Sequence, residues 1–407
     1  MSTTTAAGPR HTPNTRDTSG VPRGLLSLMS VATGLIVAGN YFAQPLLDAI
    51  RGDLGLSTGT AALIVTAAQA GYALGLFLLL PLADLVERRR LAVMLFAATA
   101  VFLLAAGVAG HPVVLLVATA LAAFTSVAAQ VLVTFAVALS APERRGRVVG
   151  TVMSGLLVGG LLARTVAGLL SEAGGWRTVY WFGAAVLAVV TVALWRALPT
   201  LHTPAGLSYP ALLRSTVGLL RTQPVLRLRA GLGALSMASF TMFWTAVTFL
   251  LAGPHYQWSE AAIGLFGLVG IAGTAATPIA GRLADRGQVH RVAGAGAALL
   301  VVAWAALGAG AGSLFALIAG AIVLTVAQQS VLNSNQYVLY ALAPELRNRL
   351  NSAFMTAFFL GGAAGSALTA VAWDRAGWAG VTVTGGVLAA ATVLLWAGDR
   401  ARGRVTR

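Results

Sequence analysis

The stretch APERRGR at residues 141–147 recurs as APELRNR at residues 343–349, 202 positions further along the chain. A second motif keeps the same spacing, because GGW at 174–176 returns as AGW at 376–378. One spacing shared by separate motifs is the mark of an internal repeat. The sequence therefore predicts a unit of about two hundred residues that is present twice in the same orientation.

The composition places the chain in a membrane. Its 407 residues are 57% hydrophobic and only 10% charged, with a mean hydropathy of +0.82. A soluble domain carries about 25% charged residues. The formal charge of +15 comes from arginines in short clusters between apolar runs, which is the pattern of a membrane protein rather than of a nucleic-acid-binding protein. We expect the lipid bilayer as a partner and no nucleic acid.

Two residue types are missing altogether. The absence of cysteine excludes disulfides, thiolate metal sites and cysteine nucleophiles. All 27 basic residues are arginine, so a Schiff-base or P-loop lysine is excluded as well. We expect no metal and no cofactor.

The apolar runs give the number of spans. A helix needs about 20 mostly apolar residues to cross the hydrocarbon. Two of the runs, 91–142 and 292–344, are long enough for two spans each and are broken at AGHP (109–112) and GAGAGS (308–313). One further run is apolar except for Arg164. The sequence predicts an all-α membrane protein with 12 transmembrane helices in two parallel six-helix repeats; the single-span runs are 24–47, 54–83, 148–171, 178–195, 230–259, 261–281, 350–373 and 376–398.

Arginine placement orients the spans. With the amino terminus inside, 23 of the 27 arginines fall in cytoplasmic segments, which satisfies the positive-inside rule. We expect a multi-pass protein of a bacterial plasma (inner) membrane with both termini in the cytoplasm. The predicted parts are a disordered cytoplasmic tail (1–23), an N-terminal six-helix bundle (24–196), a cytoplasmic linker (197–228), a C-terminal six-helix bundle (229–398) and a cytoplasmic tail (399–407).

The loop after span 2 carries a recognisable motif. PLADLVERRR (81–90) is answered by GRLADRGQVHR (281–291), with Asp84 and Asp285 201 positions apart. With its six plus six spans and central linker, the chain resembles the major facilitator superfamily, whose signature at this place is Gly-x-Leu-Ala-Asp-Arg-x-Gly-Arg-Arg. The first copy keeps the Leu-Ala-Asp core and the arginines but lacks both glycines and the first arginine, and the second copy, GRLADRG, is closer.

The resemblance implies a conformational gate. In the family the motif aspartate lies near the amino terminus of a helix of the other half, where a helix dipole attracts a carboxylate. Asp84 would meet span 11 and Arg349, and Asp285 would meet span 5 and Arg147, which would lock the outward-open state. The alternative is that these are ordinary interfacial charges. The predicted gate residues are Asp84, Arg88, Arg147, Asp285, Arg286 and Arg349.

Polar residues follow stripes four positions apart on four spans, and such residues favour the interior of a bundle or a water-filled path. The spans are 1, 4, 7 and 10, which line the central cavity in the family that the chain resembles. The alternative for each residue is hydrogen bonding between packed helices, worth about 0.6–2 kcal/mol. The predicted cavity residues are Asn40, Tyr41, Gln44, Ser126, Gln130, Arg164, Trp244, Gln329, Asn333 and Tyr337.

Arg164 stands alone in GGLLARTVAGLL (159–170). A guanidinium stays charged and is costly in hydrocarbon unless it is solvated. Three roles are open for Arg164. Its side chain would bind an anionic or carbonyl group of the substrate, form hydrogen bonds to neighbouring helices, or extend towards the membrane surface. In drug-efflux members of the family a proline occupies this position, so Arg164 weakens an antiporter assignment. Asp48 is the nearest acid in a plausible partner span.

Function follows from the resemblance. The chain looks like a twelve-span drug or sugar efflux permease, a secondary transporter that would export a small organic compound in exchange for protons by alternating access. Asp48 is the candidate for proton coupling, with an interfacial charge as its alternative role. Uptake or exchange of a small organic anion is the second hypothesis, favoured by Arg164. A non-transporting sensor and a membrane-embedded enzyme are remote alternatives, since no catalytic constellation is visible. We expect a monomer.

Overall fold

The computed structural model describes residues 21–201, 208–342 and 346–401, and it is helical with no strand in these ranges. The predicted tails, 1–23 and 399–407, fall largely outside the described residues. Within the predicted linker, Tyr209–Thr222 forms a helix that is separate from the spans.

Eleven helical segments are long and apolar enough to cross a membrane. The last of them contains two spans, because the backbone leaves the helical conformation at Ala376 and Gly377. The twelve-span prediction is therefore confirmed, including the breaks near AGHP and GAGAGS. Spans 1 to 10 are Arg23–Leu54, Thr58–Asp84, Arg88–Gly107, Pro112–Ala138, Pro142–Gly174, Trp176–Ala197, Pro224–Ala252, Glu260–Leu283, Arg286–Ala311 and Leu314–Leu342, and spans 11 and 12 share Arg349–Ala401.

Local sequence fixes where several spans begin. Ser57 and Ser259, 202 positions apart, both act as helix N-caps and accept the backbone N–H of Thr60 and Ala262. Glu87 caps span 3 by accepting two backbone N–H groups at 2.8 and 2.7 Å. Such caps satisfy amide groups that have no partner within the helix. The duplicated serine shows that the repeat extends to the capping of spans 2 and 8.

Small residues bring helices of the same half together. A Cβ on Gly159 of span 5 would lie 2.2 Å from the carbonyl oxygen of Gly34 in span 1. In the other half, a Cβ on Gly361 of span 11 would lie 2.2 Å from the carbonyl oxygen of Ala234 in span 7. Close backbone approach at small residues is how membrane helices associate. These glycines therefore hold each six-helix half together and lie away from the contact between the halves.

The two ends of the bundle differ in charge. We call the end with Arg88–Arg90 and Arg144–Arg147 the arginine-rich face, and the end with the loops around residues 55–57, 175 and 253–259 the arginine-poor face. Large apolar side chains cover the outside between the two faces, with Phe315 83% exposed and Leu394 72% exposed. An apolar belt of this kind matches the lipid around a spanning bundle.

A buried ion pair joins spans 7 and 12 near the arginine-rich face. Arg229 donates to the carboxylate of Asp399 at 3.2 Å, and their side chains are 3% and 0% exposed. The sequence analysis placed Asp399 in the tail after the last span, but the helix runs to Ala401 and buries it. Trp396, which stacks on His290, packs beside the pair one turn earlier on the same helix. The pair connects the last span to the first span of its half.

We expect Asp399→Asn to destabilise the protein by about 3–5 kcal/mol, because it leaves a buried guanidinium without its counter-charge. The midpoint of thermal unfolding of the purified protein in detergent measures this effect. Asp48→Asn is the control, since the Asp48–Arg51 pair is 36–40% exposed and should contribute about 1 kcal/mol at most. Equal shifts in the two variants would contradict a special role for the buried pair.

Candidate functional site

Arg164 lies in the middle of a cluster built from both halves of the protein. Its Nε donates to Oε1 of Gln44 at 2.6 Å. Its guanidinium carbon lies 4.7 Å from the ring centre of Tyr41 and 4.3 Å from that of Trp244. Tyr41 and Gln44 belong to span 1, whereas Trp244 belongs to span 7 of the other half. The charge is thus placed between two aromatic faces.

Small residues let the backbone of span 5 approach span 8 at this point. A Cβ on Gly267 would lie 2.9 Å from the Cβ of Arg164, and a Cβ on Gly264 would lie 2.6 Å from the carbonyl oxygen of Arg164. The neighbouring hydroxyl of Thr165 donates to the carbonyl oxygen of Gly264 at 3.1 Å. Larger side chains at either glycine would push the two halves apart.

The environment of Arg164 replaces water with aromatic and amide groups. The residue is 7% exposed, and no described carboxylate forms an ion pair with it. Cation–π contacts with Tyr and Trp are worth about 2 kcal/mol when they are desolvated. Gln44 adds a hydrogen bond to a charged group, which is stronger than a neutral one. Among the three interpretations of Arg164, the geometry matches bonding to neighbouring helices, and the low exposure argues against extension towards the membrane surface.

Further contacts close the arginine-poor face between the halves. The hydroxyl of Thr248 in span 7 donates to the carbonyl oxygen of Gln44 at 2.7 Å. The hydroxyl of Ser366 in span 11 donates to the carbonyl oxygen of Ala62 in span 2 at 2.9 Å. Together with the Arg164 cluster, these bonds seal one end of the path between the two six-helix halves.

The other predicted cavity residues fall into separate groups. Ser126 donates to Oδ1 of Asn40 at 3.0 Å inside the first half, and Gln130 hydrogen-bonds to Tyr72. The span 10 residues lie towards the arginine-rich face; Gln329 packs beside Gly273, and Tyr337 is 42% exposed. No hydrogen bond given for the described side chains links span 10 to Arg164. The predicted set is therefore divided between the Arg164 cluster, the first half and span 10, where Nδ2 of Asn333 is buried without a hydrogen-bond partner among the described residues.

The predicted contact between Asp84 and Arg349 is not formed in this conformation. Arg88 bonds to Asp84 at 3.4 Å within its own half, and also to the carbonyl oxygen of Ala83. Arg349 donates to Ser215 of the linker helix at 3.0 Å instead of to Asp84. The expected Asp84–Arg349 contact belongs to a state that is closed at the arginine-rich face, whereas here the opposite face is closed. Asp84 remains 56% exposed.

The second predicted gate gives less information. Arg147 and Arg286 are exposed, and neither side chain forms an ion pair with another described residue. The side chain of Asp285 lies outside the described set. The gate assigned to this repeat therefore stays a prediction.

Asp48, the candidate for proton coupling, pairs with Arg51 at 2.9 Å and not with Arg164. One turn of helix separates Asp48 from Gln44, so the carboxylate points to the mouth of the closed end. It lines a cavity of about 430 Å³ on the arginine-poor face, together with Thr58, Phe249 and Trp373. No three His, Asp or Glu side chains form a metal-binding group in residues 21–201, 208–342 and 346–401.

Sequence reasoning missed the residues that bridge the halves at this face. Glu172 accepts the hydroxyl of Ser259 at 2.8 Å and the backbone N–H of Ala261 at 3.3 Å. Thr165 and Ser366, described above, were also overlooked. The 202-residue spacing was the signal that could have found them, because it relates Glu172 to Asp374 and Gly264 to Ala62.

We expect Arg164→Lys to lower the midpoint of thermal unfolding by roughly 3–6 °C, although the charge is kept. An ammonium is a compact point charge and cannot stack flat between Tyr41 and Trp244 while it also bonds to Gln44. Arg375→Lys, at an exposed position on the same face, is the matched control and should change the midpoint by about 1 °C or less. A fully stable Arg164→Lys protein would show that the planar stacking contributes little.

Comparisons with known proteins identify the family. The model of the Major Facilitator Superfamily matches residues 29–286 and 230–406. The chain is 46% identical over 372 residues to the uncharacterized transporter YgaY of Escherichia coli O157:H7, with 91% of this chain and 94% of that protein covered. It is 32% identical over 291 residues to a chloramphenicol resistance protein of Streptomyces lividans, with 69% and 72% covered.

A solved structure supports the same conclusion for the fold. The crystal structure of the nucleoside transporter NupG superposes with a TM-score of 0.74 at 14% identity, covering 95% of this chain and 100% of that one. Two six-helix repeats, the family match and the transporter relatives agree. The chain therefore belongs to the major facilitator superfamily and is a multi-pass membrane transporter of a small-molecule substrate, and not an enzyme.

Proposed function

We propose that this transporter exports a small organic compound across a bacterial plasma membrane in exchange for protons. It works as a monomer by alternating access between its two six-helix halves. Both termini lie in the cytoplasm, so the arginine-rich face is cytoplasmic and the arginine-poor face is external.

The observation that carries alternating access is the difference between the two ends of the path. At the arginine-poor face, Arg164, Thr248 and Ser366 each contact the opposite half. Towards the arginine-rich face, the polar residues of span 10 include Tyr337 at 42% exposure. Towards the arginine-rich face Ser352 also donates to the carbonyl oxygen of Leu76 in the other half, at 3.1 Å. Polar contacts between the halves that are more numerous at one end of the path suit one of two alternating states. With the proposed orientation, the closed end faces the outside.

One relative supports the proposed direction and kind of substrate. The similarity to a chloramphenicol resistance protein extends over 69% of the chain at 32% identity. Resistance to an antibiotic by a membrane transporter is most simply achieved by export. The substrate we propose is accordingly a small organic compound without a fixed positive charge, because the only ionised side chain described at the closed interior site, Arg164, is itself a cation.

Proton coupling is assigned to Asp48. Its carboxylate lies at the mouth of the closed end, where protons from outside reach it, and its partner Arg51 lies one turn away on the same helix. Opening of the external face would change the surroundings of this ion pair. Intramembrane and boundary carboxylates are the usual proton relays of transporters.

A second candidate function is uptake or exchange of a small organic anion. Arg164 favours it, because the guanidinium is balanced by Gln44 and two rings and by no described carboxylate. If the halves separate at this end, Trp244 leaves with its own half and one face of the guanidinium becomes available. An anionic substrate would then find a positive charge on the path.

Transport by purified protein in proteoliposomes tests these functions. With an acidic interior and a pH dye inside, we expect chloramphenicol to accumulate while the interior becomes alkaline. An ionophore that collapses the proton gradient should abolish accumulation, and empty liposomes give the background. Benzoate and tetraphenylphosphonium serve as the anionic and cationic probes.

The outcomes separate the two candidates. Accumulation of benzoate alone, lost in Arg164→Ala, would contradict the export proposal and support anion transport. Chloramphenicol flux without proton movement would contradict antiport. If Asp48→Asn still couples flux to protons, the coupling residue is a different one.

A further inference from the structure

Two acidic residues on the arginine-poor face are related by the internal repeat. Glu172 ends span 5 and Asp374 ends span 11, 202 positions later. Glu172 approaches Ala261 at the start of span 8, and Asp374 approaches Gly59 at the start of span 2. Ala261 and Gly59 are also 202 positions apart. The two acids therefore occupy equivalent places in the two copies of the repeat.

The first copy is a set of hydrogen bonds between the halves. Oε2 of Glu172 accepts the hydroxyl of Ser259 at 2.8 Å and the backbone N–H of Ala261 at 3.3 Å. Ser259 is the N-cap of span 8, so the carboxylate lies against unpaired amide groups at the positive end of a helix dipole. A glutamate of the first half thus holds the start of a helix in the second half.

The second copy is a close approach at the equivalent place, with the two halves exchanged and without a hydrogen bond to Asp374 among the described residues. Asp374 of the second half lies against the start of span 2 in the first half, so close that a Cβ on Gly59 would be 2.6 Å from its Oδ2. Ser57, the N-cap of span 2, is the repeat equivalent of Ser259. Glycine at position 59 leaves room for the carboxylate at the helix terminus.

A second pair of repeated contacts lies deeper along the same helices. Thr165 donates its hydroxyl to the carbonyl oxygen of Gly264 at 3.1 Å, and Ser366 donates to the carbonyl oxygen of Ala62 at 2.9 Å. Gly264 and Ala62 are 202 positions apart. Spans 5 and 8, and spans 11 and 2, therefore meet at two depths, with acceptors related by the repeat and donors that are 201 positions apart.

Another acid on this face provides the contrast. Asp53 accepts from Arg177 at 2.6 Å and from Trp176 at 3.2 Å, and all three residues belong to the first half. Its contacts stay intact when the halves separate. Only contacts that cross between the halves oppose the opening of the arginine-poor face, and those of Glu172 and Asp374 do so.

We propose that Glu172 and Asp374 form a duplicated latch that holds the arginine-poor face shut and is released each time the transporter opens there. The inference rests on the proposed alternating access, and it adds the residues that set the resting state. Each carboxylate is exposed, so each contact is weak enough to break during the cycle. The latch mirrors at this face the gate predicted for Asp84 and Asp285 at the other.

Cysteine labelling measures opening without knowledge of the substrate. The chain has no cysteine, so Thr248→Cys introduces a single reporter at a position that is 1% exposed beside the closed end. A membrane-impermeant maleimide is added to intact cells. Gly312→Cys, in an exposed loop of the same face, reports full access, and Arg90→Cys, on the arginine-rich face, reports leakage.

In the Thr248→Cys background we expect Glu172→Gln with Asp374→Asn to raise the labelling rate roughly fivefold. Each single substitution should give a smaller increase. Asp53→Asn is the matched control and should leave the rate unchanged, because its contacts lie within one half.

Two results would overturn the latch. One is a wild-type labelling rate in the double variant, with a wild-type elution profile and helix content to show that it is folded. The other is an equal increase in Asp53→Asn. If the double variant does not express, the two single variants carry the same test. Labelling needs no transported compound, so it tests the latch even if the proteoliposomes show no transport. A labelling result that contradicts the latch does not contradict the export proposal.

Discussion

A permanent positive charge inside the membrane has to be solvated by the protein itself, and Arg164 meets this requirement with groups from both halves. Tyr41 and Gln44 come from span 1, and Trp244 comes from span 7. A charged side chain at membrane depth is costly without such partners. The cost links the charge to the conformation, because separation of the halves removes Trp244 from the guanidinium. In this conformation the groups that solvate Arg164 also join the two halves at the arginine-poor face.

Close backbone packing allows the helices to surround Arg164 in this way. Gly264 and Gly267 allow span 8 to lie against span 5 around Arg164, while Gly159 and Gly34 hold span 5 against span 1. The first pair of glycines lies between the halves, and the second lies within one half. Membrane helices gain little from the hydrophobic effect when they associate. Close van der Waals packing at small residues therefore decides how tightly two helices associate. Small residues thus allow close backbone approach both within one half and between the halves.

The duplicated fold is symmetric in its framework and asymmetric at one position. Thr165 and Ser366 each donate a hydroxyl to a carbonyl oxygen of the other half, and these acceptors, Gly264 and Ala62, are related by the 202-residue spacing. The repeat equivalent of Arg164, however, is Ser366 itself, 202 positions later. The second half therefore places a small hydroxyl where the first half places a guanidinium. Because no architectural requirement explains the charge, its presence in one copy only points to a function that the framework does not need.

The sequence by itself determined the number of spans, the parallel repeat and the family, because hydrophobic length and the 202-residue spacing are local properties that can be read along the chain. It also identified Arg164, Gln44, Tyr41 and Trp244 as candidates, since polar residues in apolar runs are conspicuous. It missed the burial of Asp399, because a contact between distant helices cannot be read along the chain, and the pairing of Asp84 with Arg349 in the outward-open state stays a prediction. Only the tertiary structure decided which side chains are partners, because it places helices far apart in sequence within hydrogen-bond distance. Arg164, for example, bonds to Gln44 and not to Asp48.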